Sequence, residues 1–107
     1  MPRIALRLAG PIAALTTSTT LLTVASSTKD IIRHIHVSNP GTTSLTITMS
    51  ITADTTGTRI FDGYSVGAGT VFDHYCYYTL ESGEVLAAHA SGTAIVFTVN
   101  GDQSVLG

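Results

Sequence analysis

Charge is what this sequence has least of. Lys, Arg, Asp and Glu make up 11% of its 107 residues, and the formal net charge is −2. A well-solvated globular chain carries roughly 25%. Five Lys and Arg residues, with no run among them, leave no basic stripe for a nucleic-acid backbone. The one cysteine, Cys76, excludes an internal disulfide and leaves the redox compartment open. We read it as a small buried hydrophobe in a strand. No apolar run approaches the ~18 residues of a membrane span. No window shows a helical apolar stripe with a cap and a stop.

What is there instead is apolar and hydroxyl-rich sequence, 44% hydrophobic by composition. Its surface must therefore carry Thr, Ser, Gly, Ala or apolar side chains. Burial against partner chains explains such an under-charged surface better than a secreted, Thr-rich character does. Arg3 and Arg7 followed by Leu8 to Leu22 have the loose outline of a secretory leader. Gly10-Pro11 and the run Thr16 to Thr20 break it, and we read the segment as part of the mature chain.

Leu45 to Thr52 alternates apolar and hydroxyl residues without a break. Period two puts Leu45, Ile47, Met49 and Ile51 on one face of a pleat, as in a half-buried antiparallel strand. Ile31 to Ser38 is predicted as the preceding strand, with Ile31, Arg33, Ile35 and Val37 on one face. Ile32, His34, His36 and Ser38 take the other, and isoleucine on both leaves the inward face undecided. Asn39-Pro40-Gly41 is a strong turn signal, predicting a hairpin between Ile31–Ser38 and Thr43–Thr52. Ile4 to Leu8 suggests a first strand ended by Gly10-Pro11, where proline suits a sheet edge or connector. Thr19 to Ala25 suggests a second. Ala53 to Gly57 reads as a turn, and Arg59 to Phe61 as a short strand interrupted by Asp62-Gly63. Thr70 to Tyr78 is an aromatic strand, with Val71, Asp73, Tyr75 and Tyr77 opposite Phe72, His74, Cys76 and Tyr78. Val85–Ala90 and Thr93–Asn100 follow, with Ser91-Gly92 as a two-residue hairpin turn. Seven or eight short strands near ten-residue spacing predict an all-β antiparallel sandwich, jelly-roll-like. We divide the chain into residues 1–25, an N-terminal arm or edge strands, and residues 26–107, the β-sandwich domain.

Few residues suggest chemistry. His34-Ile35-His36 places two imidazoles on one strand face, a pair that can chelate zinc, copper or iron, with His74 or Asp73 as a further ligand. The cupin pattern fails, because Asn39, Pro40 and Gly41 stand where its glutamate should follow. We read the pair as a polar or intersubunit face and assign no metal, cofactor or catalytic residue. Asp73, His74, Ser65 and Cys76 sit in no nucleophile elbow, and Asp73 and His74 point to opposite faces. Gly63, Gly67 and Gly69 lack the Lys-Ser/Thr and the helix of a phosphate loop. Tyr64, Tyr75, Tyr77 and Tyr78 suit core packing or a contact between subunits better than a sugar platform.

The stretch IIRHIHVSNPG, beginning at Ile31, and LESGEVLAAHASGTAIVFTVNG, Leu80 to Gly101, resemble small structural proteins of tailed bacteriophages. In those, a short N-terminal segment leads to a strand ending in a Val-x-Asn turn. Leu80, Gly83 and Glu84 match a later turn of the family, and Ala90, Ser91 and Gly101 a strand motif after it. The resemblance covers about two thirds of the chain and is a matter of turns and strands. It implies a virion component, made in the host cytoplasm, that binds as a trimer or ring. Capsid decoration comes first, with a minor tail or neck protein as the alternative. The implied partners are further copies of this chain and other virion proteins, such as the major capsid or tail proteins, without nucleic acid or membrane. On chemistry alone, Ile4, Leu6, Leu8, Ile12, Tyr64, Tyr75 and Tyr77 are the expected contact residues. Removing Pro2–Ala14 should abolish particle binding and leave the sandwich folded. The rivals are a host-surface or glycan-recognition module using the tyrosines, and a His-x-His metalloprotein.

Overall fold

The computed structural model describes residues 3–52 and 56–105. The strands are β1 (Arg3–Ala13), β2 (Thr19–Thr23), β3 (Thr28–Asn39), β4 (Leu45–Ile51), β5 (Arg59–Val66), β6 (Thr70–Leu80), β7 (Val85–Ala90) and β8 (Val96–Val105). A single 3₁₀ turn over Thr56–Thr58 is the one helical element among the described residues. The strands form two four-stranded sheets, in the orders β1-β8-β3-β6 and β2-β7-β4-β5, with antiparallel pairing throughout. Only the β4–β5 connection stays within one sheet, and every other connection crosses from one sheet to the other. Eight strands wound this way form the antiparallel jelly roll that the strand count predicted.

The two predicted hairpins are therefore both corrected. β3 pairs with β6 and β8, while β4 pairs with β5 and β7, so Asn39-Pro40-Gly41 is an arch between sheets. The side chain of Asn39, wholly buried, builds the arch. Its Nδ2 donates to the carbonyls of Thr43 and Val66, each at 3.0 Å, and its Oδ1 accepts from the Gly41 amide at 3.2 Å. A short turn cannot report whether the strands it joins will pair or stack. Ser91-Gly92 is likewise a crossing, from β7 to β8. There the Ser91 amide donates to the Thr46 carbonyl at 2.9 Å, and Ser91 Oγ accepts from the Thr46 amide at 2.9 Å.

Two expected breaks are spanned by continuous strands. β1 passes through Gly10-Pro11, joined by a cis peptide, with register shifts against β8. Its position at a sheet edge tolerates the missing proline N–H. β5 passes through Asp62-Gly63 by bulging at Gly63, whose φ is 68° and whose amide donates to Thr48 Oγ1 at 3.2 Å. The turn expected over Ala53 to Gly57 lies mostly outside the described residues.

The core fills the gap between the sheets. Ile32, Ile35 and Val37 of β3 and Phe97 and Val99 of β8 meet Ile47 and Met49 of β4 and Leu86, Ala88 and Ala90 of β7. In β4 Ile47 and Met49 face the core at 0% exposure as expected, but the hydroxyl face is not open, since Thr48 and Ser50 are buried as well. In β3 the alternation breaks. The register shifts between Ile32 and His34 against both neighbours, and Arg33 is the extra residue relative to β8. Ile32 therefore shares the inner face with Ile35 and Val37, while Arg33 and His34 both lie outside. Gly101, opposite Ile32, lets the strands close at this bulge, since a Cβ there would stand 1.9 Å from the Ile31 carbonyl oxygen.

Asn39→Ala should cost about 2–4 kcal/mol, because it orphans buried backbone groups as well as losing hydrogen bonds. Gly101→Ala should cost more than about 2 kcal/mol by backbone overpacking. Urea unfolding midpoints test both, and a change within error at either site would refute the role given to it.

Candidate functional site

The outer face of the β1-β8-β3-β6 sheet carries a connected group of polar and aromatic side chains. β6 is the free edge of that sheet, and its alternation holds. Phe72, Cys76 and Tyr78 turn inward to pack on the core, while Val71, Tyr75 and Tyr77 are 60%, 76% and 61% exposed. Cys76 is half-buried and Sγ points to the Ile32 carbonyl at 3.7 Å. Burial pushes its thiol pKa up.

The bulge in β3 brings its polar residues under this row. His34 lies opposite Tyr75 and His36 opposite Asp73. The carboxylate oxygen Oδ1 of Asp73 accepts from His34 Nε2 at 2.8 Å and from His36 Nδ1 at 2.6 Å. On the far side of the His34 ring, Asn100 Nδ2 of β8 donates to Nδ1 at 3.1 Å. Tyr75 stacks on that ring at 4.7 Å between centroids. Beside this group Arg33 donates to Asp102 Oδ2 at 3.1 Å and lies 5.5 Å from the centre of the Tyr77 ring. Hydrogen bonds from His36 and then His34 hold the Asp73 carboxyl below its ordinary value of 3.8.

Of the expected ligand candidates, Asp73 thus joins the histidine pair and His74 does not. His74 faces inward, 4.9 Å from Phe61 and 6.2 Å from Tyr78 between ring centroids. The atoms of His34, His36 and Asp73 that a metal would use lie within 4.8 Å of one another. Sequence reasoning missed Asn100 and Arg33 altogether. No short-range signal marks Asn100, which reaches His34 only through the pairing of β8 with β3.

The expected contact residues are scattered over the molecule. Tyr75 and Tyr77 are neighbours on the outer face, whereas Tyr64, 40% exposed, stacks on Phe61 at 5.9 Å at the β5 edge of the other sheet. Leu6 is exposed on β1, Ile12 is half-buried, and Leu8 packs against the core. Ile4 of β1 pairs with Gln103 of β8, and its side chain lies outside the described residues. A hollow of about 450 Å³ bordered by Ile51, Arg59, Ile60, Tyr78 and Glu84 lies apart from the histidine group and gathers no comparable set of ligands.

The chain matches no protein-family model, and comparison with curated proteins finds no match. Among solved structures it is similar to a chain described under Bacillus endospore appendages, a novel family of disulfide-linked pili. Identity is 17% and the TM-score 0.49, over 99% of this chain and 87% of that one. It is also similar to a chain in the structure of infectious bursal disease virus Gx strain, with 10% identity and a TM-score of 0.46. That match covers 97% of this chain and 32% of the viral one.

The sign of the Asp73 shift sets a pH dependence. Its hydrogen bonds favour the ionised form, so their stabilisation is present above the ordinary carboxylate range and fades as pH falls through the lower, folded value. Carbon-detected NMR titration should place the Asp73 midpoint below 3.8. His36→Ala should move it back up, and an unmoved midpoint would show that the hydrogen bond is not formed in solution.

Proposed function

We propose that this chain is a structural protein of a bacteriophage virion. It decorates and stabilises the capsid through contacts between subunits, and has no chemistry of its own. The observation that carries the intersubunit part of this reading is the β6 edge. Thr70–Leu80 is a long edge strand without Pro, Lys or Gly, and Asp73 is its one charged residue. Edge strands of independent monomers are usually blunted by such residues, because their free N–H and C=O groups otherwise pair with another chain. Beside this edge stand Val71, Tyr75 and Tyr77, with Arg33 under Tyr77. Tyr and Arg are enriched at protein interfaces, where large rings bury much area at low entropic cost. The virion assignment rests on the resemblance of the Ile31 and Leu80–Gly101 stretches, since a jelly roll alone implies no function. The self-association expected is a trimer or ring, and a minor tail or neck position is the alternative within the virion.

The N-terminal segment enters this reading differently from the expectation. β1 pairs with β8 from Arg3 to Ala13, Leu8 packs on the core, and Ala14 is buried. Removing Pro2–Ala14 would strip an edge strand and open the core, so it cannot separate binding from folding. Substitutions on the exposed side chains can.

One observation favours a second reading. The Tyr75–Tyr77 platform is bordered by Asp73, Asn100 and Arg33, which would suit a sugar laid across the rings. A defined glycan-array hit lost in Tyr75→Ala would favour recognition over assembly.

Light scattering over a concentration series should show a closed oligomer, alone or on added capsids. Tyr75→Ala with Tyr77→Ala should lower capsid binding at least tenfold with the circular dichroism spectrum unchanged. Binding equal to that of the unaltered chain would sink the proposal.

A further inference from the structure

We propose that His34, His36 and Asp73 form a binding site for a divalent transition metal of the zinc type, on the outer face of the sheet. The inference is independent of the virion reading and is tested on the isolated chain.

The argument starts from convergence. His34 and His36 belong to β3 and Asp73 to β6, 37 residues beyond His36, yet both rings aim a nitrogen at one carboxylate oxygen. Two imidazole nitrogens and one carboxylate oxygen are a ligand set suited to Zn²⁺, Co²⁺ or Ni²⁺. The nitrogens now approach the oxygen at 2.8 and 2.6 Å. Tetrahedral bonds of ~2.0–2.1 Å would set ligand atoms ~3.3 Å apart. A swing of the exposed Asp73 side chain would lengthen both N–O distances toward that spacing, and the three ligand atoms already lie within 4.8 Å of one another. On coordination each neutral ring would keep its one proton on its other nitrogen, Nδ1 of His34 and Nε2 of His36, and the cation would stand where the two N–H groups now face Asp73.

The surroundings are those of a supported ligand. A metal-bound imidazole usually donates its other N–H to a fixed acceptor, which sets ring orientation and basicity. Asn100 stands at 3.1 Å from the second nitrogen of His34. Turning its amide over would present Oδ1 to an Nδ1–H, the arrangement needed when Nε2 holds a metal. Tyr75 stacked on the ring fixes its plane. The backbone supports the pair as well, since His34 and His36 stand two residues apart on β3 in unbroken register and so share its outer face.

Three protein ligands leave at least one position open to water or to a donor from another molecule. A metal here would stand on an open sheet face beside the β6 edge, placed to bridge copies of this chain.

The test is calorimetric titration of the full chain with ZnCl₂ at pH 7.5, with Co²⁺ visible absorption as a second readout. One metal per chain is expected, with the intense bands of a four-coordinate cobalt site. His34→Ala with His36→Ala should abolish binding, and Asp73→Asn should weaken it at least tenfold. Asn100→Ala should weaken it by about 10-fold to 100-fold, as supporting residues of metal ligands do. His89→Gln, on β7 of the other sheet, should leave it unchanged. Circular dichroism checks that each variant is folded. No binding by the folded chain, or binding that survives loss of both histidines, would overturn the proposal.

Discussion

The β-bulge at Arg33 is the local constraint on which the central sheet and its outer face both depend. Without it, strict alternation would force Ile32 and Ile35 to opposite faces, and one of them would meet solvent. With it, Ile32, Ile35 and Val37 all enter the core, while Arg33, His34 and His36 all stay outside. Burying an isoleucine is worth roughly 2–3 kcal/mol, enough to fix this register against its alternatives. Gly101 is the complementary part, because its missing Cβ is the space that the Ile31 carbonyl occupies.

From that constraint the molecule divides into a dry interior and an outer face with functional groups at defined positions. β3 lies between β8 and β6, so its outward side chains can be reached from both sides. β8 supplies Asn100 and Asp102, and β6 supplies Asp73, Tyr75 and Tyr77. The polar groups there are matched to one another across strands, which is how a sheet face becomes specific without a cavity. The same face adjoins the bare β6 edge, so a bound ion and an assembling subunit would meet at one place. Low overall charge serves such a surface, since little electrostatic repulsion opposes packing of like copies.

The secondary structure was legible in the sequence wherever one period ran unbroken. The alternations sort Leu45, Ile47, Met49 and Ile51 of β4 and Phe72, Cys76 and Tyr78 of β6 onto single faces, and the structure turns those faces to the core, while burying Thr48 and Ser50 of β4 as well. Failures occur where a backbone irregularity intervenes. Arg33 carries no mark of a bulge, Gly63 reads as a break in place of a bulge, and Gly10-Pro11 reads as a stop. Each is a residue whose conformation is decided by the strand opposite.

By itself the sequence determined that the chain is all-β, where most strands lie, and that its surface would be short of charge. Those properties follow from side-chain period, turn residues and composition, all of which act over a few residues. Only the tertiary structure decided which strands pair. It made Asn39 an arch between sheets and Ser91-Gly92 a crossing, because stacking and pairing follow the same short turns. It also brought Asp73 and Asn100 to the histidines of β3, across separations of 37 and 66 residues that no local pattern encodes. Pairing register is a property of the whole buried core, and the candidate site exists only as its consequence.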